Sequence, residues 1–488
     1  MSTETIIFIG VGAYIAVMLG VGVYASRRTH TVTEFIVAGR GLPLWICSAT
    51  IIATWFGGGT MMGTSGSAYQ YGMIGVIADP IAAALCLFLI GFFFARLFRR
   101  LRILTVADFM AQRYGQVAAM AITLATVFSN IMWVAGLLVA FGLIFESLTG
   151  TPMLVGVLGG ALVIVIYTTI GGLWAVALTD FLQMVIIIIG LVVLLTVVLI
   201  DVGGWGMVAE RLPEGTFRLI PGENTAEQWL NYLRAWLIIG LVDISSQTLA
   251  QRALAAKSER VAQNSFYFGS VGYLVFGMIP VVLGLIASVT MPGVTEPEAI
   301  IPTLAIEHLH PVAVAIFVGA LLAAIMSSSD SALLACASVM TQNVLPLIKP
   351  NPSTRLGLIV ARTTIPVCAA ISILIALEFK VVFDLILDAN ILGMAAIIVP
   401  FIVGVWWTKA NRTGALSSMT AGLSTWLITM QVAPELPADL IGLGASLVTM
   451  LVVTPLTQAF DPPRPLVDSE GNPVEMKERL GTLGLWGG

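Results

Sequence analysis

The chain has 488 residues, of which 58% are hydrophobic and 10% charged, with a formal net charge of −4. This apolar fraction is far above that of soluble domains. Stretches of about 20 apolar residues, each long enough to cross a hydrocarbon core of about 30 Å, recur from end to end. Composition therefore predicts an all-α polytopic membrane protein. It offers no basic tract for nucleic acid and no loop long enough to hold a soluble catalytic domain.

A hydropathy window of about 19 residues gives about 13 spans. They run over 5–25, 44–68, 73–95, 117–147, 152–170, 175–200, 228–250, 262–290, 311–345, 356–377, 382–406, 413–431 and 438–459. The first lacks a basic n-region and reads as a span rather than a cleavable signal. All of the 23 Lys and Arg except Arg211, Arg218, Arg234 and Lys380 then fall on one side. The positive-inside rule makes that side cytoplasmic, with the N-terminus outside and the C-terminus inside. The outer segments 201–227 and 291–310 are acidic. They read as ordinary solvated loops or as a weak cation-attracting field. The tail after Phe460 is rich in proline and charge and is expected to be disordered. Cys47, Cys86, Cys336 and Cys368 lie in apolar segments, and neither disulfides nor a metal site is expected.

The second span carries the most unusual stretch, Ser48 to Ala68, with Gly57, Gly58 and Gly59 in succession. A glycine triplet is costly in a helix that must satisfy its own backbone in lipid. Such breaks are tolerated where they are buried in protein or line a wet cavity, as at transporter binding sites. The alternative is close packing of a neighbouring helix. Span 7 has a second polar interruption, Asp243-Ile-Ser245-Ser246-Gln247-Thr248, one half-repeat after the break at Gly57. Paired interruptions point to an inverted repeat.

Ionisable residues within spans are expensive; here they are Asp79, Asp180, Asp243 and Asp330, with Asp384 and Asp388 nearer an end. In span 9, Ala324, Ser327, Ser328 and Ser331 share one helix face. Two hydroxyls there, facing freed carbonyls of span 2, would make an oxygen cage for a hard cation such as Na⁺. Alternatively, the serines bond back to their own helix. Asp180 at the start of span 6 reads either as part of an ion site or as a cap complementing the helix dipole. Asp79-Pro80 reads either as a pocket carboxylate or as a kink.

TDFLQ after GGLWAVAL, QRALAAKSE after span 7, AAIMSSSDS in span 9 and the broken span 2 together resemble the sodium/solute symporter family, over about residues 1–460. The resemblance implies a LeuT-type fold of two inverted five-helix repeats. Residues 1–41 would add an N-terminal helix and loop, and 42–200 and 228–407 would be the repeats, joined by the outer segment 201–227. Residues 408–459 would supply two more helices, and 460–488 a cytoplasmic tail. It further implies Na⁺-coupled import of a small organic solute across the plasma membrane by alternating access, with proton coupling or solute sensing as alternatives, and no enzymatic activity. The shared sodium site would use Ala53, Phe56, Ala324, Ser327 and Ser328. A second sodium or proton site would use Asp180, Ser327, Asp330 and Ser331; several relatives have a hydroxyl residue where Asp330 stands. Substrate positions carried over are Trp55, Thr60, Asp79, Trp133, Ser246 and Gln247. The ATWFGGG string is similar to the choline-transporting branch, in which Trp55 and Trp133 would help cage a quaternary ammonium. The third cage position is Ser246, which is not aromatic. An organic cation or zwitterion is the expected solute, with Asp79 as its counter-charge. Sequence leaves the oligomeric state open.

Overall fold

The computed structural model describes residues 3–378, 390–391, 393–468 and 470–483. The expected span 382–406 lies partly outside these, as do Asp384, Asp388 and Lys380. Among the described residues every extended element is a helix, and eight helices are long and apolar enough to cross a membrane. The shorter pieces complete the expected spans, because several of those are broken.

Helix α1 (Thr3–Ser26) is followed by the first broken element. Its first half, α2 (Leu44–Trp55), ends at Phe56, whose ψ of 66° leaves the helical region. The chain resumes through a wide turn at Gly59–Gly63 into α3 (Thr64–Tyr71). Helix α4 (Ala83–Phe93) follows, then the short amphipathic α5 (Val106–Tyr114) and the long α6 (Gln116–Thr149).

The expected spans 152–170 and 175–200 form a single 49-residue run, α7 (Met153–Asp201), with one non-helical residue, Gly172, at φ 54°. A straight helix of that length would measure about 74 Å, more than twice a bilayer core. The reversal is therefore compressed into Gly172. A Cβ there would sit 2.6 Å from Phe35 O, and a positive φ favours glycine.

The second broken element is α8 (Ala226–Gly240), a tight turn at Val242–Ser245, and α9 (Gln247–Ala255), capped by Ser246. Helices α10 (Glu259–Thr290), α11 (Pro311–Val339) and α12 (Thr354–Glu378) follow. The sequence of α11 is apolar or small on every side, so it can be surrounded. Nearly every residue from Val314 to Val339 is buried, and α1, α6, α7 and α12 pack around it. The described end of the next span is α13 (Ile398–Trp406). Helices α14 (Arg412–Val432) and α15 (Ala438–Thr457) pack mainly on each other at the periphery.

The loops segregate as the charge pattern requires. On the basic face, Arg40 donates to Arg102 O, Arg99 to Ala256 O at 2.6 Å, and Arg100 pairs with Glu259 at 2.8 Å. On the opposite face, His308 meets Asp201 at 2.7 Å, and Tyr69 donates to Met291 O at 2.9 Å.

The tail differs from expectation. Its described residues fold against the basic face and include a short helix, α16 (Met476–Gly481). Arg479 is 3% exposed and donates to Val405 O at 2.7 Å. Arg113 of α5 donates to Gly404 O, Trp407 O and Thr408 O at 3.0, 2.8 and 2.9 Å, and to Arg464 O in the tail. The first three are carbonyls at and just beyond the C-terminal end of α13, where a helix leaves acceptors without intrahelical partners. Burial pulls the Arg113 pKa below the usual arginine range and that of Arg479 down to about 10. The proline and charge content that suggested a free chain instead serves a docked one.

Candidate functional site

The site is built where the first break meets α11. Gly57 N–H turns back to Trp55 O at 2.7 Å instead of reaching Ala53 O. Ala53 O, fully buried, thereby loses the partner that a continuous helix would supply. It is met instead by the α11 serines, with Ser327 Oγ at 3.1 Å and Ser328 Oγ at 3.5 Å. Ser327 Oγ also lies 3.0 Å from Ala324 O. The approach depends on glycine, since a Cβ on Gly57 would lie 2.6 Å from Ser328 Oγ. Ala53, Ala324, Ser327 and Ser328 thus converge as carbonyl and hydroxyl oxygens without sulfur or imidazole, a donor set suited to a hard monovalent cation. Phe56 stands where the helix ends.

A second buried polar cluster adjoins the first. Asp180, Asp330, Arg252 and Ser331 are all fully buried. Thr50 donates to Asp180 Oδ2, and Arg252 Nη2 lies 3.8 Å from the same oxygen. Tyr167 donates to Asp330 Oδ2 at 2.5 Å. Ser331 Oγ is 3.2 Å from Asp330 Oδ1 and 2.9 Å from Ser327 O, and accepts from Arg252. Asp180 Oδ1 has no hydrogen-bond partner among the described residues. A buried carboxylate oxygen without a donor is costly, and a cation beside it would remove that cost. The four residues expected at a second ion site therefore do gather, and Ser327 joins them to the first cluster.

Next to Ser328 lies a cavity of about 100 Å³. It is walled by the end of α2, by α6, by the turn at Val242–Ser245, by the start of α9 and by part of 390–397. Trp55, Trp133, Ser246 and Gln247 all line it. The Gln247 side chain also reaches the basic-face loop, accepting from Val106 N–H at 2.8 Å. Thr60 and Asp79 are not among the lining residues. Thr60 Oγ1 is 2.7 Å from Asp79 Oδ2 and 2.7 Å from Tyr273 Oη, and Tyr273 donates to Asp79 Oδ1 at 3.0 Å. Both Asp79 oxygens are engaged within this separate cluster.

Sequence reasoning missed three participants. Arg252 was placed with the loop cations; the polar face Thr248–Gln251–Arg252 at helical spacing was the available signal. Tyr167 looks like core until its hydroxyl is traced to Asp330. Asp243 was noted as an interruption but not as a site residue, yet it lines the cavity.

A family model described as the sodium:solute symporter family matches residues 35–422. Among curated relatives, the high affinity choline transporter 1 of Homo sapiens is 29% identical over 438 residues, covering 84% of this chain and 74% of that protein. The sodium/pantothenate symporter of Escherichia coli is 29% identical over 475 residues, covering 92% and 96%. The sodium/glucose cotransporter of Vibrio parahaemolyticus is 26% identical over 483 residues, covering 90% and 88%. Among solved structures, an outward-open, substrate-bound Na⁺-coupled sialic acid symporter superposes with a TM-score of 0.84 at 20% identity, covering 92% of this chain and 97% of that one. Mhp1, a nucleobase-cation-symport-1 transporter, superposes at 0.60 with 17% identity, covering 92% and 98%. At such identities the structural likeness speaks for the fold alone. With the model matching most of its length, the chain belongs to the sodium:solute symporter family, whose members are sodium-coupled transporters and not enzymes.

Proposed function

We infer that this chain imports a small organic solute bearing a positively charged nitrogen, driven by Na⁺ and by alternating access. The observation that carries the reading is adjacency. The oxygens of Ala53, Ala324, Ser327 and Ser328 abut the tryptophan-bearing cavity, and Ser328 belongs to both. Na⁺ at the oxygen cluster would tie α2 to α11, and a solute in the cavity would tie α2 to α6 and the second break. Both act on the elements that must move relative to one another in a rocking transporter. Trp55 and Trp133 offer aromatic faces to an ammonium group. Choline, named for one relative, is such a solute; pantothenate and glucose, named for others, are not.

Asp180, Ser327, Asp330 and Ser331 are assigned to a second cation position, with Arg252 as a resident counter-charge. The basic face is taken as cytoplasmic in the plasma membrane, with the N-terminus outside. The test is uptake of labelled choline, betaine, proline, galactose and pyruvate into proteoliposomes. Uptake of at least one solute is expected to require an inward Na⁺ gradient and to collapse when a sodium ionophore dissipates it. Equal uptake in K⁺ would overturn the reading. Uptake driven by an imposed proton gradient without Na⁺ would transfer the coupling role to protons at Asp180 and Asp330.

A further inference from the structure

Asp79, Asp180, Asp243 and Asp330 interrupt the apolar spans, and the carboxylates of three of them already meet protein donors. Asp79 is held by Thr60 and Tyr273, Asp180 by Thr50 and Arg252, and Asp330 by Tyr167 and Ser331. Asp243 differs. Among the described residues no N–H or O–H donates to its carboxylate, and no cation pairs with it. It sits in the turn Val242–Ser245 at the second break and borders the cavity. The two cations nearest in sequence are both engaged elsewhere, Arg234 by Asp439 and Arg252 by Asp180, Ser331 and Thr248 O. No Lys, Arg or His is among the described residues that line the cavity, and Asp243 is the only formal charge among them.

A carboxylate held at membrane depth without a partner is a standing electrostatic cost. Where such a group faces a cavity, the compensating charge can arrive with the ligand. Trp55 and Trp133 share that cavity, and their ring faces attract cations by the same sign rule. Asn130 and Ser246 add neutral polar groups and no positive charge. A solute carrying only a carboxylate would meet Asp243 with nothing of opposite sign among the described lining residues to offset the repulsion.

We propose that Asp243, rather than Asp79, is the counter-charge for the ammonium group of the transported solute and so sets the cavity's preference for solutes with a positive nitrogen. The proposal rests on the solute-transport reading above, and its test separates the two. Purified protein in saturating Na⁺ is titrated with choline, proline, galactose and pyruvate, and thermal stabilisation is read for the wild type and for Asp243→Asn. Half-saturation by Na⁺ alone is read for both. The substitution keeps size and shape, and an unshifted unfolding temperature without solute confirms its fold. Choline or proline is expected to stabilise the wild type, with half-saturation weakened about tenfold or more in Asp243→Asn and with Na⁺ half-saturation unchanged. Any of these results would overturn the proposal: no stabilisation by either ammonium compound; equal affinity in both proteins; a weakening confined to Na⁺; or, should Asp243→Asn not fold, an Asp243→Glu protein that folds but has lost the ammonium preference. Na⁺-driven uptake of galactose or pyruvate alone would sink the role of Asp243 and leave Na⁺-coupled transport standing.

Discussion

At the scale of single residues, Ser328 matters through what its oxygen adjoins. Its bond to Ala53 O is long, at 3.5 Å, and helix α11 needs nothing from it. Removing that hydroxyl should therefore affect ion binding more than folding. Ser328→Ala is expected to raise the Na⁺ concentration for half-maximal uptake about five- to tenfold, in line with losing one cation-directed oxygen worth about 1–1.5 kcal/mol. Uptake against Na⁺ concentration, with surface expression as the control, checks it; an unchanged curve would remove Ser328 from the ion site. The hydroxyls of α11 were legible in the sequence, because their spacing places them on one face beside Ala324. The roles of the aspartates were not. Local sequence shows that Asp79 and Asp243 are both carboxylates within apolar spans. It cannot show that Tyr273, 194 residues away, satisfies the first, or that nothing described satisfies the second.

At the scale of elements, the chain is organised by its interruptions. The glycine triplet and the polar run at Asp243–Ser246 were readable, since each violates the rules for a lipid-crossing helix. The reversal inside α7 was readable only as a gap between two spans, not as one residue. Glycine at 172 joins a left-handed φ to a close approach by Phe35 O. Gly172→Ala should thus cost about 2–4 kcal/mol, combining the φ penalty with the clash. The expected result is a markedly lower yield of monodisperse protein in detergent and a fall of several degrees in the unfolding midpoint. A variant as stable as its parent would show that the turn relaxes freely.

At the scale of the whole molecule, the charge bias of the loops anticipated which segments meet, and contacts such as Arg99 to Ala256 O bear out that sorting. The tail was misjudged because composition reports solvation and not docking. Its anchor is a set of carbonyls at the end of α13, reached by both Arg113 and Arg479. Lysine cannot span three carbonyls as a guanidinium does. Arg113→Lys is expected to destabilise the protein by about 3 kcal/mol and to expose the segment after Phe460 to protease under native conditions. Persistent protection of that segment would show that the tail is held by other contacts.

Ser328 has one more consequence. An ion at the oxygen cluster and a solute in the cavity would share that one side chain, so their two binding equilibria would be linked. Linkage is reciprocal: the factor by which Na⁺ tightens the solute is the factor by which the solute tightens Na⁺, typically about 5–150-fold. A cargo molecule would then act as a brake on the departure of its own driving ion. An ion that escaped alone would be the weakly held one, and uncoupled leak should fall as solute concentration rises.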